Sequence, residues 1–471
     1  MPKGPRDLLL QAWGLLQTPI VMTKLSNLLF LLLSMYGILW FSGCTSGNNG
    51  HHTGLQAPRS SMSRLSADKT KVVNEQGEEI ILKAIGLGGW LLQEGYMLNP
   101  QGSEIGTQWQ MKKAFYDQGL TMEEVEIFYQ EWRDKFITQK DIDHIASLGF
   151  NAIRIPMHYE LFLTSGQRSK RNNAIKDTTL LSDYINGLSS WLDEGILFAH
   201  PDELEGVQIL DRLLEWCGAN GMYVILDLHA APGGQGTDIN IADILVKNDL
   251  WNRKDKKGRH IYQEVTVELW KMLSDQYIDD NRIAWYDLIN EPNNVPSNQL
   301  IHDLFDRLIT AIRKKGDDHM IMVEGNGWGN NYDLMEPYSF THPENLIFNA
   351  HRYWIPVEED TLLDPNPNQI NRIINLTAFR DRHQVPVWVG ETGENDNAWL
   401  KQNINKLDKT NIGWCHWTYK RFDKHENAAL RRIKPPYPTE GKTAMESVLK
   451  NIQFRNTIPN TKTIQSVAPT P

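Results

Sequence analysis

From residue 80 onward, short runs of β-branched and other apolar residues recur along the chain. They fall at 80–88, 152–156, 223–229, 283–291, 320–325, 346–353, 385–391 and 412–419. Several are apolar almost throughout, as in Tyr223-Val224-Ile225-Leu226, without a polar face. That pattern predicts strands covered on both sides, as in a parallel sheet. Most gaps carry apolar positions at helical spacing: 140–148, 207–219, 264–275, 298–315, 370–383, 398–407 and 443–452. Gly149, Gly218 or Gly221, and Gly316 follow such segments, where helices end. The link after 320–325 has the weakest helical pattern. Eight strand–helix units predict an α/β fold, a (β/α)8 TIM barrel. The competing architecture is an open doubly wound sheet, usually marked by a Gly-rich phosphate turn after its first strand. Neither Gly86-Leu87-Gly88-Gly89-Trp90 nor Gly325-Asn326-Gly327-Trp328-Gly329 has the dinucleotide spacing, and a phosphate-loop lysine is missing. Residues 70–458 are read as the barrel domain, with a small N-terminal hairpin over 72–79 on its floor. Residues 459–471 are read as a C-terminal tail. Residues 91–136 and 157–205 are long insertions after the first and second strands. Loops there lie at the catalytic face, so both insertions are expected to shape a cleft.

The amino terminus is of another kind. Residues 25–41 are almost wholly apolar, preceded by Lys24 and followed by Ser42-Gly43-Cys44. A basic start, an apolar run short for a membrane span and small residues predict a secretory signal over 1–43, with Met22 as an alternative start. The Phe-Ser-Gly-Cys ending resembles a bacterial lipoprotein processing site, which makes Cys44 the lipidated first residue of the mature chain. An ordinary signal peptide and an amino-terminal anchor helix are the alternatives. The resemblance implies export across the inner membrane and a lipid anchor in the cell envelope, at the outer membrane facing the periplasm or the surface. Residues 44–69 are rich in Ser, Gly, Asn and His and lack Trp, Tyr and Phe, so they read as a flexible tether.

Composition narrows the choice of function. The 471 residues include 48 Lys+Arg against 58 Asp+Glu, a net charge of −10. An acidic balance argues against nucleic acid as partner, which calls for a basic stripe. After Cys44 only Cys217 and Cys415 remain, too few for a disulfide framework or a cysteine metal cluster. Sixteen Trp is a high count, and each buried indole N–H needs a partner. Trp216 and Trp270 fall in helical patterns, Trp285 and Trp388 within strands. Trp90, Trp328, Trp354 and Trp417 fall at or just beyond strand ends, with Trp414 close by.

In a barrel, strand interiors pack and strand carboxyl ends do chemistry. The second strand ends with Arg154 and the third with His229. The fourth ends in Asn290-Glu291-Pro292, and the sixth carries His351 and Tyr353. The seventh ends in Gly390-Glu391, and the eighth carries Trp414 and Trp417. Singly, each has a structural explanation: an ion-pair partner, a loop histidine, a turn, a core indole. Their coincidence at one face points to chemistry. Cleaving a glycosidic bond needs one carboxyl to protonate the leaving oxygen and another to meet positive charge at the anomeric carbon. Tryptophan faces suit the apolar faces of pyranose rings.

The constellation resembles glycoside hydrolase family 5, the old cellulase family A, over roughly residues 72–455. That family carries its acid after Asn on the fourth strand, here Glu291, and its nucleophile on the seventh, here Glu391. The resemblance implies retention by double displacement. It further implies that Asn290 binds the sugar 2-hydroxyl, Tyr353 orients Glu391 and Arg154 keeps Glu391 ionised. His229 and His351 would line the −1 subsite over a Trp417 floor. A closer likeness is to the exo-β-1,3-glucanase-like branch, in Leu87-Gly88-Gly89-Trp90-Leu91 with Glu94, Leu228-His229-Ala230-Ala231-Pro232-Gly233, and Trp414 through Trp417 to Lys420. There Glu94 would bind glucose hydroxyls, with Trp90 and Trp354 as further sugar contacts. Gly95-Tyr96 in place of a Pro-Trp pair, and Gly390-Glu391-Thr392-Gly393 around the nucleophile, depart from that branch and leave the linkage open. The expected partner is an oligo- or polysaccharide, the expected state a monomer. No cofactor or metal is expected, since a His-x-His pair is absent from the strand ends. The alternatives are a non-catalytic glycan-binding surface lipoprotein, a transglycosylase and a β-mannanase on the same scaffold.

Overall fold

The computed structural model describes residues 62–422 and 429–469. The expected signal, the alternative start at Met22 and the lipidation site Cys44 lie outside the described residues. All eight predicted strands are present: β1 (Lys83–Gly86), β2 (Ala152–His158), β3 (Tyr223–Ala230), β4 (Ile283–Asp287), β5 (Met320–Val323), β6 (Leu346–Arg352), β7 (Val387–Gly393) and β8 (Trp414–Trp417). Each pairs in parallel with the next. β8 returns to β1 with Cys415 opposite Ala84, so the barrel closes without an edge.

The apolar runs face two ways because strands of a closed barrel are covered on both sides. Inside lie Ala84, Ala152, Ile225, Trp285, Met320, Met322, Ile347, Trp388 and Cys415. Trp285 and Trp388 meet edge to face with centroids 5.1 Å apart. Outside, strand residues pack on helices at Gln139–Ser147, Glu205–Ala219, Ile261–Tyr277, Asn298–Arg313, Ile373–His383 and Asn397–Lys409. The expected helix near the carboxyl end is Met445–Asn451. The weak link after β5 has only one turn at Asn326–Gly329 and a 3-10 turn at Pro337–Ser339 before β6.

Three boundaries move. The floor hairpin pairs Ser66–Asp68 with Lys71–Val73, and Val73 then bridges Glu79. Leu65 is fully buried beneath the barrel interior, so residues from about 62 belong to the folded domain and not to a tether. The expected tail is also folded as far as residue 469. Ile458–Pro459 joins a small sheet with Arg431–Ile433, itself parallel to Lys420–Phe422, and helix Thr461–Val467 buries Val467.

The insertions are helical. The first holds Gln108–Asp117 and Met122–Phe136, each opened by a threonine capping box. The second holds Ser165–Lys176 and Leu181–Asp193. Buried ion pairs bind them to each other and to the loop after β3: Lys112–Glu160 at 2.8 Å, Arg171–Glu160 at 2.5 Å and Arg171–Asp243 at 3.0 Å. Among the described residues, no helix is long and apolar enough to cross a membrane.

Candidate active site

At the carboxyl end of the barrel one guanidinium faces four buried carboxylates. Arg154 on β2 lies 2.7 Å from Asp287, 3.2 Å from Asp227, 3.6 Å from Glu324 and 2.5 Å from Glu391. It also donates to Asn290 Oδ1 at 2.7 Å. One cation cannot neutralise four anions in a low-dielectric interior. Burial raises Asp227 to about 7 against the pull of Arg154, and lifts Asp287 and Glu324 above the ordinary carboxylate range.

The two glutamates sit on separate strand ends in different surroundings. Glu391, on β7, accepts from Arg154 Nη1 through Oε1 and from the Tyr353 hydroxyl through Oε2 at 2.7 Å. Glu291 follows β4, whose ladder stops at Asp287, and takes a left-handed φ of 49°. Its backbone N–H donates to Glu324 Oε2 at 2.7 Å. Burial, then the charge of Asp238, pushes Glu291 up to about 8. His351 Nδ1 lies 2.5 Å from Glu291 Oε1. A ligand atom of each of Glu291, His351 and Glu391 lies within 4.8 Å of the others. The set could in outline hold a cation, but its lone pairs already serve Arg154, Tyr353 and His351, and the guanidinium would repel a divalent ion.

The pocket above them holds about 670 Å3. Glu94, His229, Glu291, His351, Tyr353, Trp354, Glu391 and Trp417 line it, with Arg154 and Asn290 beneath. Trp417 lies flat against His229, centroids 5.3 Å apart and planes at 6°. A Cβ on Gly86 or Gly88 would come within 2.7 or 2.6 Å of its ring, so only glycine lets β1 pass beneath it. Burial pushes His229 down to about 4; its Nδ1 lies 2.7 Å from Asp227. Glu94 is buried, and its Oε1 has no hydrogen-bond partner among the described residues. Burial, then the charges of Glu391 and Glu394, raise Glu94 well above the ordinary range.

Trp90 is a correction. It is buried in the outer core, donates to the Arg133 carbonyl at 2.8 Å and does not line the pocket. Trp414 is likewise core. The second insertion supplies no lining residue either. From the first come only Glu94 and Tyr96. The remaining wall comes from loops after β3, β5, β6 and β7, through Asp238, Asn240, Trp328, Gln369, Asn371 and Glu394. A separate cleft of about 580 Å3 between the insertions is lined by Glu126, Arg133, Arg168 and Glu205, whose charges pair with one another. Sequence reasoning missed Asp227, Asp287 and Glu324, although each is an acid within or just beyond an apolar strand, a visible sign of a buried charge cluster. The loop residues carry no such periodic signal.

A carboxyl that burial keeps protonated, close to one paired with a guanidinium, can protonate one oxygen of an acetal while the other meets positive charge on its carbon. On this barrel that chemistry defines a glycosidase. A model of the cellulase family, glycosyl hydrolase family 5, matches residues 112–423, more than half of the chain, and the chain belongs to that family. It is 27% identical over 384 residues to a β-xylosidase of Phanerodontia chrysosporium, covering 76% of this chain and 71% of that protein. It is 22% identical over 362 residues to endoglucanase C of Acetivibrio thermocellus, covering 66% of this chain and 92% of the other. The crystal structure of AoRut shares the fold, with a TM-score of 0.50 and 18% identity over 72% of this chain and 89% of that one.

Proposed function

We propose that the protein hydrolyses β-linked glucans or glucosides with retention, by double displacement. Glu291 protonates the leaving oxygen while Glu391 attacks the anomeric carbon to form a glycosyl-enzyme. Glu291 then takes a proton from water, which releases the sugar. The observation that carries this reading is the Glu291–Glu391 pair. Their oxygens approach within 4.8 Å, in keeping with the ~5–5.5 Å carboxyl spacing of retaining enzymes. The raised Glu291 suits an acid, and the Arg154 and Tyr353 contacts suit a charged nucleophile. Asn290 and Glu94 are proposed to bind sugar hydroxyls, His229 and His351 to line the −1 subsite, and Trp417 to be its floor, with Trp354 outside it.

The test is Glu391→Ala, expected to lose nearly all turnover and to regain part of it with added azide on an activated aryl glucoside. Full activity in that variant excludes Glu391 as nucleophile. Relatives are named for both xylosides and glucans, so linkage is read from a screen on laminarin, lichenan, carboxymethyl cellulose, mannan and aryl β-glucosides. Exo action on β-1,3-glucan is the specific proposal, supported by Glu94 at the pocket. Release of glucose alone from laminarin is expected, and mixed oligosaccharides would exclude it.

A lipid anchor at Cys44, holding a monomer in the bacterial envelope, is proposed on the Phe41-Ser42-Gly43-Cys44 run. Incorporation of labelled palmitate that vanishes in Cys44→Ala is the expected result. Equal labelling of both would reject the anchor.

A further inference from the structure

Asn349 lies on β6, two residues before His351, fully buried and outside the pocket lining. Its amide has a single workable orientation. The Gly390 N–H donates to Asn349 Oδ1 at 2.7 Å, so the opposite side of the amide is NH2. That group has two protons and two neighbours. Nδ2 lies 2.6 Å from Glu324 Oε1 and 2.9 Å from His351 Nε2. Only glycine fits at 390, because a Cβ there would come within 2.3 Å of Asn349 Oδ1.

An imidazole nitrogen that accepts a hydrogen bond carries no proton. With Nε2 accepting, the neutral ring bears its hydrogen on Nδ1. Burial pushes His351 down to about 4, so the ring is neutral near pH 7. Nδ1–H then donates to Glu291 Oε1 at 2.5 Å. An oxygen already accepting that bond is the poorer place for the acid proton. The proton is left to Oε2, to which no described residue is hydrogen-bonded, on a side chain that lines the pocket.

We propose that Asn349 is a positioning residue: it fixes the His351 tautomer and thereby places the transferable proton of Glu291 on Oε2. The relay starts at the backbone of Gly390, immediately before Glu391, and ends on Glu291, so it ties the two glutamates together. Glu324 closes the loop, since its Oε1 accepts from Asn349 and its Oε2 from the Glu291 N–H. The inference rests on Glu291 being the acid.

The tautomer is read directly from 15N-histidine spectra of the full-length protein near pH 7, with His351 assigned by its loss in His351→Gln. A protonated Nδ1 and a bare Nε2 are expected. A protonated Nε2 overturns the proposal, whatever any variant does. Asn349→Leu keeps the size of the side chain but has no donor for Nε2. In that variant kcat/KM is expected to fall about 100-fold for aryl glucosides with poor leaving groups, and less than about threefold for dinitrophenyl glucoside, whose departure needs no acid. Equal losses across the series would mean a merely structural role and reject it. Glu291→Ala in the same series separates the two readings. If its losses do not depend on the leaving group, Glu291 is not the acid and the proposed mechanism fails first.

Discussion

Four carboxylates around one guanidinium settle which groups at this site hold protons. Burial is the largest influence on Glu291, and Asp238 adds the next unfavourable charge. As the proposed acid, Glu291 must be protonated to act, so kcat/KM is expected to fall as pH rises through about 8. Asp238→Asn removes a like charge, lowers that pKa and moves the alkaline limb to lower pH. A limb that stays in place would separate Asp238 from the acid. The same shift bears on stability. Glu291 keeps its proton in the fold up to about pH 8 but loses it near its ordinary value of 4.5 when unfolded. The native state binds the extra proton in between, so stability from this group is full below that window and lost as pH rises through it.

Strand ends are held by tryptophan. Trp270 donates to the Leu288 carbonyl at 2.9 Å, Trp388 to Leu82 at 3.0 Å and Trp251 to Gln235 at 2.9 Å. These indoles meet their N–H requirement on backbone carbonyls of strand ends and loops, so the Trp excess is more anchoring than sugar platform. Trp328, Trp354 and Trp417 line the pocket instead, Trp417 on a bed of glycine. Gly88→Ala puts a Cβ 2.6 Å from its ring and is expected to destabilise by ~1–3 kcal/mol and raise KM as the ring tilts. Gly166→Ala, in a helix with nothing within 4 Å, is the control and is expected to leave KM unchanged without lowering stability. Thermal unfolding and steady-state kinetics check both. The strands were legible because burial on both faces leaves an unbroken apolar run. The expectation holds for the first insertion, through Glu94 and Tyr96, and fails for the second, because length says where a loop starts and not where it packs. The second lines no part of the pocket, and its Glu160 and Arg171 pair with Lys112 and Asp243.

At the scale of the molecule, segments before β1 and after β8 complete the barrel domain. Leu65 seals the floor, and the segment after Arg431 returns to the wall. Thr463 Oγ1 lies 3.1 Å from Asn397 Oδ1, joining the last helix to Asn397–Lys409. Deletion of 459–471 is therefore expected to lower Tm by more than ~2 °C, which a free tail would not do. Differential scanning calorimetry of the two lengths decides it.

By itself, the sequence determined the closed eightfold rhythm and put Arg154, His229, Asn290, Glu291, His351, Tyr353, Glu391 and Trp417 at one face. Both follow from local rules: a strand buried on two sides must be apolar, and a polar residue at its end must face a loop or a site. Tertiary structure alone decided the rest. Burial depth is a property of many chains of contact at once, so only the fold could place Glu324 and Asn349 behind His351, move Trp90 into the core and give Glu291 a proton near neutrality. A residue's type sets what chemistry it can do. Its neighbours, brought from strands 25 to 237 residues apart, set the charge with which it does it.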